Sequence, residues 1–275
     1  AGKNADDPSY IVDLGDYWYQ RGNTAKAKEI WKRLVIVVKP KAKGYAALGE
    51  TYLDHDLGED ALDAYKEARD LLPGDLQIQK GHASALERVH KYGEAQGLWE
   101  TILKRNDVDK PTRREARTHL VLLWVAQKKL EPQVAGLNAQ FKGPPADLEA
   151  GRLLAEVQLH LRKLPDAEKT LRTIIDQAPG DVDARLVLER VLVQQGNVSG
   201  AIKVLEELVK ADPKGARQYY GRLAQYSLQL YKDDDAIRWA AAAVELSPED
   251  AEGHKKLGEM YRSQQDFPKA IKEFK

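Results

Sequence analysis

Residues 45–73 read YAALGETYLDHDLGEDALDAYKEARDLLP, and their spacing predicts two short amphipathic helices joined by a tight turn. Leu48, Gly49 and Tyr52 fall at i, i+1 and i+4, which puts a small residue and an aromatic on one helical face. Gly58 punctuates the turn, and Ala61, Tyr65 and Ala68 at i, i+4 and i+7 mark one face of a second helix. Pro73 ends that helix, because proline cannot donate the next backbone hydrogen bond. The small residues let the two helices approach closely, and the aromatics fill the space between one such unit and the next.

Outward from this stretch the pattern returns at a period close to 34 residues. Ala27, Ala61 and Ala95 are 34 apart, Ala167 and Ala201 repeat the step, and so do Pro145, Pro179 and Pro213. A fixed period of this length is the mark of stacked helical hairpins. Such a stack grows by adding neighbours and needs no central core, so a length of 275 residues does not by itself imply two domains.

The pattern resembles the tetratricopeptide repeat, whose signature sets Leu-Gly, Tyr, Ala, Phe, Ala and Pro at fixed spacings. The Leu-Gly or Leu-Ala pair recurs as Leu14-Gly15, Leu48-Gly49, Leu154-Ala155, Leu223-Ala224 and Leu257-Gly258. The second-helix alanine recurs at Ala27, Ala61, Ala95, Ala167, Ala201, Ala236 and Ala270. The resemblance covers nearly the whole chain and implies an all-α fold: a right-handed α-solenoid superhelix of about eight helix-turn-helix repeats. They are placed at about 8–41, 42–75, 76–111, 112–147, 148–181, 182–216, 217–250 and 251–275, the last incomplete, in a single solenoid over residues 1–275. The fourth repeat departs from the pattern, with Gln133 at the alanine position, Pro132 beside it and a lengthened loop, RNDVDKPT. Ordinary loop drift and a hinge both fit that irregularity. In the sixth repeat Glu189 occupies a normally small position, which predicts looser packing there.

Composition narrows the function. The 43 basic and 43 acidic residues balance, which removes the broad positive field expected of a nucleic-acid binder. There is no cysteine, so no disulfide or thiolate metal site, and this suits a cytoplasmic or a bacterial periplasmic setting equally. No apolar run approaches the roughly 20 residues of a membrane span, so no direct membrane insertion is expected. The opening AGKNADDP lacks a signal-peptide core. A start without methionine and a stop at AIKEFK, inside a helical pattern, are the expectation for a fragment or a processed form.

Candidate chemistry is sparse. Trp18, Trp31, Trp99 and Trp124 fall at repeat positions that pack between helices, while Trp239 lies just off register. The six histidines show no metal-ligand spacing; His82 and His90, read as eight residues apart on one helix, are about 12 Å apart in rise. His82 takes a leucine position, which predicts a buried, hydrogen-bonded core residue. No phosphate-cradling glycine loop and no convergent nucleophile, base and orienter are evident, so no catalytic residue, cofactor or metal is expected. The run Asp233-Asp234-Asp235 precedes a helix, where negative charge favours the positive end of the helix dipole.

The resemblance implies that the first helix of each repeat lines an inner, concave groove. Its exposed positions map to Asp13, Asp16, Tyr19, Glu50 and Asp54, then to Lys80 and Arg88, and further on to Arg152, Arg190 and Arg222. That groove reads as acidic towards the N-terminus and more basic from the third repeat, which suits a partner of complementary charge; solvated helix faces explain the same residues. Two specialised members of the family do not fit. The clamp that holds a terminal carboxylate has Val12, Asp16 and Ala47 at its corresponding positions. The ladder of inner asparagines is missing, since Asn4, Asn23, Asn106, Asn138 and Asn197 read as turn, helix-end or terminal residues.

The resemblance therefore implies a non-catalytic protein–protein interaction scaffold that binds a peptide or helical segment of a partner in its concave groove. Two alternatives remain open. One is a recognition arm of a larger enzyme or of a cell-envelope secretion or polysaccharide-export machine. The other is a structural solenoid that self-associates through the incomplete C-terminal repeat, whose exposed face lacks a polar cap.

Overall fold

Aspartate and asparagine start many of the helices. Asp7, Asn23, Asp75, Asp109, Asp147, Asp181, Asn197 and Asp266 each accept a backbone N–H from the first turn that follows. Such a cap satisfies a donor that the helix itself leaves unpaired and contributes about 1 kcal/mol. In a computed structural model, which describes residues 6–143 and 146–275, the resulting elements are all helical among the described residues. They run α1 (Pro8–Gln20), α2 (Thr24–Trp31), α3 (Leu34–Val37), α4 (Lys41–Asp54), α5 (Gly58–Leu71), α6 (Leu76–Arg88), α7 (Tyr92–Lys104) and α8 (Lys110–Ala126). Then follow α9 (Leu130–Lys142), α10 (Leu148–His160), α11 (Leu164–Gln177), α12 (Val182–Gln194), α13 (Val198–Ala211), α14 (Ala216–Gln229), α15 (Asp233–Glu245), α16 (Ala251–Ser263) and α17 (Phe267–Glu273). The fold is an all-α solenoid of consecutive helical hairpins.

The first helices of successive hairpins begin at Pro8, Lys41, Leu76, Lys110, Leu148, Val182, Ala216 and Ala251. One element is additional. After Trp31 the second helix of the first hairpin breaks and the short α3 follows, in a stretch (Val35, Ile36, Val37, Val38) whose β-branched side chains are stiff in a helix and which runs into Pro40. Pro145, one of the periodic prolines, and Asn4 lie outside the described residues.

The turn between the helices of a repeat is built the same way eight times. Residues 22, 56, 90, 128, 162, 196, 231 and 265 all have positive φ, between 56° and 79°. The next residue's N–H reaches back to the carbonyl five residues earlier, as in Asn23 to Trp18, Leu57 to Tyr52 and Lys91 to Leu86. This is the hydrogen-bond pattern of a Schellman cap. Only Gly22 and Gly196 are glycines; the other six turns hold an ordinary side chain in the left-handed region. His90 is one of these turn residues, so it lies beyond α6 and does not share a helix with His82.

Hairpins close through complementary volumes. A Cβ built on Gly15 would lie 2.0 Å from the Trp31 indole nitrogen, and one on Gly49 would lie 2.7 Å from the Tyr65 ring. Gly258 and Phe274 repeat the relation at 2.6 Å, always with the aromatic sixteen residues after the glycine. The periodic alanines Ala27, Ala61, Ala95, Ala167, Ala201, Ala236 and Ala270 are all buried, while Gln133 in their place is half-buried. Trp31, Trp99 and Trp124 are buried and Trp18 and Trp239 half-buried.

The helices divide into two compact bodies, one ending at Lys129 and the other beginning at Leu130. The division falls between α8 and α9, in the repeat that the sequence marks as irregular. Asn138 lies within α9 and not at a helix end, as its sequence context suggested.

Candidate functional site

In the N-terminal body the first helices α4, α6 and α8, with one side chain from α5, enclose a groove pocket of about 470 Å³. Its walls carry Glu50 and Asp54 from α4, Lys80, Gly81 and Ser84 from α6, Glu115 from α8, and Tyr65 from α5. Tyr65 is held where it is by missing side chains. A Cβ on Gly81 would sit 2.2 Å from its ring and 2.5 Å from its hydroxyl oxygen, so the ring is wedged between α4 and α6. Burial, then the nearby carboxylates of Glu50 and Asp54, raise the Tyr65 pKa far above the usual phenol range, so the hydroxyl keeps its proton.

The charges around this pocket are unequally engaged. Lys43 reaches Asp75 at 2.5 Å and Lys80 reaches Glu115 at 2.6 Å. Glu50 and Asp54, one helical turn apart and both exposed, take no hydrogen bond or ion pair among the described residues.

Most other positions mapped to the groove are tied into neighbouring repeats. Asp16 lies 3.2 Å from His55 Nε2, and the Tyr19 hydroxyl donates to the His55 carbonyl at 2.8 Å. Arg88 pairs with Asp56 at 2.8 Å. Arg152 donates to Glu149 at 2.8 Å and to Asp181 at 2.9 Å. Arg222 pairs with Glu189 at 2.6 Å. Asp13 and Arg190 are exposed, and Arg190 lowers the His160 pKa as the lesser cause after burial. The structure therefore gathers Glu50, Asp54 and Lys80 in one pocket.

Glu189 corrects the expectation of loose packing in the sixth repeat. Its side chain is fully buried and accepts from Arg222 and, at 2.5 Å, from the Tyr226 hydroxyl. Burial and then the Glu189 carboxylate push Tyr226 up to about 12. A carboxylate at a small-residue position is accommodated because it reaches across to the first helix of the next repeat.

A second groove lies in the C-terminal body. Its volume is about 660 Å³, and Ala224 and Leu228 of α14, Ala240 and Ala243 of α15 and Met260 of α16 give it an apolar floor. Gln225, Lys256 and Glu259 stand at its polar margin, with Arg217 paired to Asp250 at 2.7 Å. The apolar residues escaped a reading aimed at charge, although Gly221 and Leu228 are seven apart on one helical face.

Family models described as tetratricopeptide repeat match residues 171–226 and 232–275. Over those two stretches the chain carries tetratricopeptide repeats. Human tetratricopeptide repeat protein 21B is 26% identical over 227 residues, covering 82% of this chain and 16% of that protein. The chloroplastic protein SLOW GREEN 1 of Arabidopsis thaliana is 42% identical over 66 residues, 24% of this chain and 21% of its own length. The chain thus spans about a fifth or less of the curated relatives it matches. Among solved structures, a tetratricopeptide repeat protein from Parabacteroides merdae superposes with a TM-score of 0.46 at 15% identity, covering 96% of this chain and 98% of that one.

Tetratricopeptide repeat proteins are generally non-catalytic interaction scaffolds, and the present repeats follow that build. Among the described residues no helix is long and apolar enough to cross a membrane. The tetratricopeptide first helices supply the groove, and their second helices mostly supply core.

Proposed function

We propose that this protein is an interaction scaffold that holds a segment of a partner protein in the groove along α4, α6 and α8. The observation that supports this is the roughly 470 Å³ pocket, whose wall keeps two carboxylates out of the ion pairs that occupy the charges around them. Charged groups left unspent in a concave surface cost little in the free protein and strengthen on contact with a complementary partner. An extended segment or a helix suits a groove formed by parallel first helices.

A photo-crosslinking residue at Ser84, in the pocket wall, should capture a defined partner from the source cells; the same residue at Glu67, exposed on α5, should not. Equal capture from both positions refutes the groove as the binding surface.

A further inference from the structure

We propose that the pocket between α4 and α6 recognises a guanidinium group, so that the partner segment in this groove is basic and places an arginine there. This rests on the groove reading above and adds the chemistry of its occupant.

Three oxygen-bearing groups from α4 and α5 define the recognition site. The Glu50 and Asp54 carboxylates stand at i and i+4 on α4, about 6 Å apart at their Cβ atoms by helix geometry. The third is the Tyr65 hydroxyl. Tyr65 is only 5% exposed, yet it lines the pocket, and among the described residues its hydroxyl has no hydrogen-bond partner. Its ring is buried while the hydroxyl opens onto the pocket, where it is available to a ligand. All three can accept hydrogen bonds, and the phenol remains neutral, so the net demand is for a cation rich in donors.

The surrounding charges sharpen that demand. Lys43 and Lys80 are held by Asp75 and Glu115 and do not neutralise the α4 carboxylates. Two separated carboxylates and one phenol match a planar fork of five N–H donors better than a single ammonium, which is a compact and strongly hydrated charge. Gly81 matters twice. Its lack of a side chain admits the Tyr65 ring, and it leaves the pocket wall open beside the hydroxyl.

The test uses fluorescence anisotropy with a short labelled peptide of alternating glycine and arginine, alongside lysine and glutamate counterparts. The arginine peptide should bind tightest and the glutamate peptide should not bind. Glu50→Gln/Asp54→Asn should weaken the arginine peptide about tenfold or more, and Tyr65→Phe about threefold. Glu59→Gln/Glu67→Gln removes the same charge from exposed positions on α5 and should change affinity by less than about twofold. All three variants should keep the parent's helical circular dichroism, since neither double variant removes a packed atom. Equal weakening by both double variants, or no binding of the arginine peptide, overturns the proposal. A partner that cross-links at Ser84 through a segment without arginine also overturns it and leaves the groove reading intact; loss of selective cross-linking at Ser84 defeats the groove reading itself.

Discussion

His82 makes the N-terminal body sensitive to acid. It stands where Leu14, Leu48, Leu154, Leu188, Leu223 and Leu257 stand in other repeats, and it is only 3% exposed. Its Nδ1 has no partner among the described residues, so the structure corrects the expectation of a fully hydrogen-bonded histidine. Burial lowers its pKa to about 4; Arg69 and Lys66 act in the same direction, against Glu94 and Asp70. In the unfolded chain the imidazole takes a proton near pH 6.5, whereas the folded body resists until about pH 4. The stability at stake is therefore intact above pH 6.5 and is lost as the pH falls towards 4. A tenfold change in proton affinity is about 1.4 kcal/mol, so the loss approaches about 3 kcal/mol at the lower limit. His82→Leu should abolish this component and restore an apolar contact. Urea unfolding, followed by exchange of the α6 amides, should show the variant's advantage widening by about 3 kcal/mol between pH 7 and pH 4. The carboxylates titrate in both proteins and cancel in the difference. An advantage that stays constant across that range would refute the argument.

Arg222→Met leaves Glu189 buried without its cation, and because Arg222 is itself 34% exposed and Tyr226 remains, the cost should be about 2–3 kcal/mol. Replacing both, as Glu189→Met/Arg222→Met, should recover most of it in urea unfolding; a double variant as weak as the single one refutes the assignment. Tyr231→Gly should stabilise the C-terminal body by about 0.5–1 kcal/mol, since the residue is 93% exposed at φ 56° and has only strain to lose. A lower melting temperature would count against that reading of the turn. Gly15→Ala should destabilise the first hairpin by about 2–3 kcal/mol, because the new Cβ meets the Trp31 indole. Unchanged exchange of the α1 amides would show that the helices can part without cost.

Much of the architecture was legible because each repeat writes its core in the same places. The alanines of the second helices are buried where the period puts them, and Asp233, Asp234 and Asp235 do form the acidic first turn of α15. The turns were harder to read, since six of eight left-handed positions hold a residue other than glycine, and a hydrogen-bond pattern, not a residue type, defines them. The groove was legible in position and poorly legible in charge. Lys80, Arg88, Arg152 and Arg222 look free within their own helices, but each is bound by a carboxylate, for three of them on another repeat. A signal was present: Lys28–Asp60, Lys43–Asp75, Asp56–Arg88 and Glu131–Lys163 are opposite charges 32 residues apart, two short of one period. Tyr65 was legible as a packing residue and not as a groove residue, because an aromatic at a repeat position is ordinarily core, and most of its ring is.

Tandem hairpins of similar shape face a problem of neighbour choice, because apolar faces of equal period can dock in the wrong order. Three latches of two kinds answer it here. His55 packs at a tilt against Trp31 beside Asp16, His119 stacks on Trp99 while Glu87 binds both, and Glu189 is met by Arg222 and Tyr226. Each joins one repeat to its immediate successor: the first two set a histidine against a tryptophan and a carboxylate, and the third sets a buried carboxylate against a guanidinium and a phenol. A hairpin that skipped its neighbour would strand Glu189 in an apolar contact, at a cost of several kcal/mol. The repeats are therefore not interchangeable bricks: excising one hairpin and rejoining the chain would preserve the period and still present the wrong lock to the wrong key.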